Sequence, residues 1–99
     1  MSKLLDLLKE VKQENLTKTD LERLHKEFTD LHSLLHLEMA ELEKKEAMFI
    51  LEKPEKTAVA TKNAWRGTVE GQRLIELKHY AEAVSKQLSS LKNQLYDHY

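Results

Sequence analysis

The sequence predicts an all-α protein, a long antiparallel helical hairpin of coiled-coil type with a short N-terminal helix. Three observations predict it. Two glycines and one proline among 99 residues leave little to interrupt a helix. Charged residues, 33% of the chain, are spread through Leu, Ala, Glu and Lys, and no segment alternates with the two-residue period of a strand. Leu74, Leu77, Ala81, Val84, Leu88, Leu91 and Leu95 recur at alternating steps of three and four. That spacing lays an apolar helix-packing seam along the last helix and requires a second helix packed against it at a shallow angle.

Each element has its own signal. Residues 1–15 read as the N-terminal helix, with Ser2 as N-cap, Leu4, Leu5, Leu7, Leu8 and Val11 as its apolar residues, and Gln13, Glu14 and Asn15 weakening its end. Residues 19–53 read as the long helix. Thr19 with Glu22 three residues on makes a capping box, and Leu21, Leu24, Phe28, Leu31 and Leu35 follow at helical spacing. The pattern continues through Leu42 and Phe49 to Pro54, whose ring disfavours helical geometry at Lys53. At ~1.5 Å per residue this is a rod of about 45 to 50 Å. Residues 54–71 form a connection with a short helix from Thr57 to Trp65, a break at Gly67 and a new cap at Thr68. Gly71 either loosens the start of the final helix or marks the close approach of another backbone. Residues 72–97 carry the heptad helix. The connection is too short for the long helices to run parallel, so residues 1–99 are expected to form a single helical domain built on an antiparallel pair.

Apolar residues exceed what one seam buries. Leu34, Leu37, Met39, Met48, Ile50 and Leu51 lie on other faces, as do Ile75 and Tyr80. Either the first helix folds back over them or a second copy covers them, and a homo-oligomeric bundle is the expectation for so small a domain. A monomeric three-helix bundle is the alternative. Leu, Val and Ala at seam positions select no single oligomer number, and Gln13 to Thr17 serves as either turn or hinge.

Composition narrows the chemistry. With 16 basic and 17 acidic residues the formal net charge is -1, which argues against a globally basic nucleic-acid binder and against charge-steered membrane binding, while local patches remain open. The absence of cysteine excludes disulfides, thiolate metal sites and cysteine nucleophiles and fits a reducing interior. No stretch reaches the ~20 apolar residues of a membrane span, and the N-terminus lacks the apolar core of a secretion signal. A soluble cytoplasmic protein is expected.

His32 and His36 share a helix face, but Ser33 stands where the zincin pattern has glutamate, so no metal is expected. His25, His79 and His98 read as polar surface or interface residues. Glu38, Glu41, Glu43, Glu46, Glu52 and Glu55, interleaved with Lys44, Lys45 and Lys53, read as a solvated face. Nothing resembles a phosphate cradle or cleft, so neither catalysis nor a cofactor is expected. The more specific pattern is basic. Lys56, Lys62, Arg66 and Arg73 meet only Glu70 between residues 56 and 73, and Trp65 sits among them. Cations would neutralise phosphates while a base stacks on the indole; the competing reading makes Trp65 a core or interface anchor.

The run Glu41-Leu42-Glu43-Lys44-Lys45-Glu46-Ala47-Met48, followed by a polar break and a second helical segment, resembles the recombination mediators of T-even phages. The glycine-containing turn that follows the motif in that family is replaced by Lys53-Pro54-Glu55-Lys56. Lys56-Thr57-Ala58-Val59-Ala60 and Thr68-Val69-Glu70-Gly71-Gln72-Arg73 are more loosely similar to small helical proteins of phage replication and recombination. The resemblance implies single-stranded DNA binding, self-assembly and the loading of a recombinase partner. It adds Lys44 and Lys45 to the DNA-binding set of Lys56, Lys62, Trp65, Arg66 and Arg73. Two other readings stand beside it: a helical module or inhibitor that grips a host or phage protein without DNA, and a coiled-coil assembly unit whose partner is itself.

Overall fold

The computed structural model describes residues 2–13, 15–52 and 57–97. It contains α1 (Ser2–Val11), α2 (Lys18–Glu52), α3 (Ala58–Arg66) and α4 (Val69–Tyr96), with no strand among the described residues. The expected break at Lys53 and Pro54 lies outside the described residues. Helices α2 and α4 form the hairpin, and its polarity is legible in two ion pairs. Glu38 reaches Arg73 while Lys45, further along α2, reaches Glu70, earlier in α4. The pairing therefore runs antiparallel.

Tertiary contacts group into two compact units, residues 1–34 with 82–99 and residues 35–81. In the first, Leu4 and Leu7 of α1, Leu21, Leu24 and Phe28 of α2, and Val84 and Leu91 of α4 are buried together as its apolar residues. Leu88 and Leu95 of the seam are half-buried. Helix α1 packs on its own chain, and Arg23 of α2 clamps it at 2.6 Å from Glu10 while also pairing with Glu27. Asn15 makes the bend between the helices at φ 63°, a left-handed conformation that asparagine adopts more readily than most residues.

The start of α2 differs from the expected Thr19–Glu22 capping box. The box is Thr17 with Asp20: the Thr17 N–H donates to Asp20 Oδ2, and the Asp20 N–H donates to Thr17 Oγ1, both at 3.1 Å. Two overlapping patterns, Thr17-x-x-Asp20 and Thr19-x-x-Glu22, compete in the sequence. The earlier one is formed, so the helix begins two residues sooner, ahead of the buried Leu21, while Glu22 instead pairs with Lys18 one turn back.

In the second unit Leu35 and Leu42 of α2, Trp65 and Thr61 of α3, and Leu74, Leu77 and Ala81 of α4 are buried. The Trp65 and Phe49 rings meet at 5.6 Å with planes tilted by 56°, an arrangement that suits their quadrupoles. Thr57 caps α3 by accepting the Ala60 N–H at 3.0 Å. Gly67 closes α3, and α4 begins at Val69 rather than at residue 72, capped by Thr68, which accepts the Gly71 N–H at 2.9 Å. Gly71 sits inside α4 and answers the question left open by its sequence. A Cβ there would lie 2.0 Å from the carbonyl oxygen of Trp65 and 2.8 Å from its carbon. It is a close backbone approach, not a loosened helix start.

Among the described residues no helix is long and apolar enough to cross a membrane.

Candidate functional site

The second unit holds a hollow of about 500 Å³ where α3 meets the first turns of α4. Helix α3 contributes Lys62 and Arg66, four residues apart and therefore on one face. Helix α4 contributes Ile75, Lys78 and His79, again at helical spacing. Trp65, Gly71 and Leu74 form the apolar floor, and Glu46 of α2 is the one carboxylate at the margin. The short α3 is held in place by its Thr57 cap, by Trp65 in the core, and by Gly71, whose missing side chain lets α4 press against the end of α3. The Gln72 side-chain amide also donates to the Arg66 carbonyl and ties the two helices together.

The predicted basic set is divided by this geometry. Lys62 and Arg66 are brought together, and Lys78 with His79 joins them. Lys44 pairs with Glu41 along α2 at 3.7 Å, and Lys45 with Glu70 at 3.2 Å. Arg73 is held between Glu38 and Glu76, and the Glu38 hydrogen bond, ahead of the charges around it, raises its already high pKa further. These three cations have intramolecular counter-charges, whereas Lys62, Arg66 and Lys78 make no ion pair with another described residue. Lys56 lies outside the described residues. Trp65 is 4% exposed and packs on Phe49, so the indole is a core anchor and offers no open face on which a base could stack. Tyr80 donates to Glu76 at 2.7 Å, and that hydrogen bond raises its pKa above the ordinary phenol value.

Lys78 and His79 escaped the sequence reading because the basic cluster was sought as a run ending at Arg73. Their signal is positional: they follow Leu74 by four and five residues, flanking the seam on the side that α3 covers. That becomes visible only when α3 is folded onto α4. Among the described residues no group of three or more His, Asp or Glu is arranged to hold a metal ion.

Fold and site together define an all-α hairpin protein, with four helices among the described residues and a cationic hollow near one helical junction. The chain matches no protein-family model, no curated protein and no solved structure.

Proposed function

We propose that the chain is a non-enzymatic accessory protein that binds single-stranded nucleic acid through the hollow between α3 and α4. The observation that carries this reading is the convergence of Lys62, Arg66, Lys78 and His79 on one concavity with an apolar floor, without ion-pair partners for the first three among the described residues. Cations at helical spacing on two helices suit successive phosphates, and the edge of Ile75 gives a flanking base an apolar surface. Stacking on Trp65 is not part of this reading, and neither are Lys44, Lys45 and Arg73. The resemblance of residues 41–48 to phage recombination mediators supports a role in phage DNA recombination or replication, with a recombinase as partner and the host cytoplasm as location.

Anisotropy of a labelled single-stranded oligonucleotide tests it. Binding should weaken with salt with a log–log slope of about -2 to -3, as expected for three or four phosphates at ~0.7 each. Lys62→Glu with Arg66→Glu should weaken it more than tenfold, and Lys26→Glu, on the other unit, should leave it unchanged. An absence of binding at low salt sinks the reading.

A second reading is favoured by the exposed apolar residues of α2, Leu37, Met48 and Leu51. They suit a protein-binding helical module, whose interface would be indifferent to changes at Lys62 and Arg66.

A further inference from the structure

Along the outer face of α2, Leu34, Leu37, Glu41, Lys44, Met48 and Leu51 follow one another at alternating steps of three and four. This is the a/d spacing of a coiled-coil seam, and no other described residue covers it. Its four apolar members are between 58% and 81% exposed, and the Glu41 and Lys44 side chains are 70% and 76% exposed. Buried Leu35 and Leu42 stand one residue away, on the face turned inward. Helix α2 thus carries two apolar faces, of which the hairpin uses one.

The outer row is symmetric about a point between Leu42 and Glu43. Leu34 and Leu51 are equidistant from that point, as are Leu37 and Met48, and as are Glu41 and Lys44. Reversing the row therefore sets apolar against apolar at the two outer pairs and acid against base at the central one. A two-fold axis performs this reversal, because in an isologous interface residue i meets residue j while j meets i. We propose that α2 packs antiparallel against α2 of a second copy of this chain, with Leu34 facing Leu51, Leu37 facing Met48 and Glu41 facing Lys44 across the axis.

Two further observations fit this geometry. Glu41 and Lys44 satisfy each other within the helix at 3.7 Å, and pairing two copies exchanges those two internal contacts for two between chains, so no charge is left alone at the centre. Ala40 and Ala47, both exposed, flank the row on one side, and their small side chains leave room for a second backbone to approach. A parallel pairing fares worse: it would set Glu41 against Glu41 and Lys44 against Lys44. The charge order therefore selects both the partner and its direction.

The surface lies outside the Lys62–Arg66–Lys78–His79 hollow, so the inference stands or falls independently of nucleic-acid binding. Molar mass from light scattering over a concentration series tests it on the full chain, with circular dichroism to verify helix content. The wild type should reach dimer mass at tens of micromolar. Leu37→Glu should be helical and monomeric, while Leu5→Glu, at an exposed position on α1, should remain dimeric. Glu41→Lys alone, and Lys44→Glu alone, should each raise the dimer dissociation constant at least tenfold, and the Glu41→Lys/Lys44→Glu double variant should recover it. Because the chain has no cysteine, direction can be read by oxidation: Leu37→Cys mixed with Met48→Cys should form a disulfide-linked dimer, and Leu37→Cys alone should not. A monomer at high concentration, a dimer indifferent to Leu37→Glu, failure of the double variant to recover, or self-linking of Leu37→Cys would each overturn the proposal.

Discussion

Gly71 is the position where the absence of a side chain decides how two helices meet. It lies in the first turn of α4, where helix propensity alone favours alanine by ~1 kcal/mol. The Trp65 carbonyl stands where the alanine methyl would go, and the obstructing atoms are backbone, which cannot swing aside. Gly71→Ala is therefore expected to destabilise the protein by about 1 to 3 kcal/mol or more, reversing the sign that propensity gives. Urea denaturation followed by circular dichroism measures this; a stabilised variant would mean that α3 and α4 are further apart than described. The same logic in reverse explains Trp65. Its neighbours in sequence suggest a nucleic-acid contact, yet its own size decides its place, because a small core gains most from burying its largest side chain.

At the scale of an element, α2 shows how a helix start is chosen. The Asp20 carboxylate accepts the Thr17 N–H, and this bond, followed by that of the Thr17 hydroxyl, holds its pKa below the ordinary 3.8. A depressed carboxylate contributes stability that is complete above its unfolded pKa and is lost as pH falls through the folded value. Asp20→Asn should thus lower the melting temperature at pH 6, and the gap to the wild type should close below about pH 4. A gap independent of pH would assign the effect to shape rather than charge. The helices themselves were legible in the sequence because their signals are local: the seam from Leu74 to Leu95, the caps at Thr57 and Thr68, and the shortage of glycine. Their exact starts were not, since Thr17-x-x-Asp20 and Thr19-x-x-Glu22 offer equally good local patterns.

For the whole molecule, each unit rests on a small apolar core, so single side chains matter. Phe28, fully buried, anchors the first unit. Phe28→Ala should cost about 3 to 5 kcal/mol, a large share of the ~5 to 15 kcal/mol that a domain possesses, and thermal melting should show a cooperative transition shifted sharply downward. The candidate site was half legible at this scale. Lys62 and Arg66 announce themselves by spacing on one short helix, whereas Lys78 and His79 belong to the same concavity only after the chain has turned twice. The withdrawal of Lys45 and Arg73 into ion pairs was equally hidden, because their counter-charges at Glu70 and Glu38 come from the opposite arm of the hairpin, whereas Lys44 pairs with Glu41 on its own helix. Trp65 also gives the molecule a built-in optical label. It is the sole tryptophan and is shut inside one of the two units, so indole emission follows that unit alone while far-UV ellipticity follows both. Superimposable denaturation curves from the two signals would mark the units as one cooperative body, and a divergence would reveal which of them opens first.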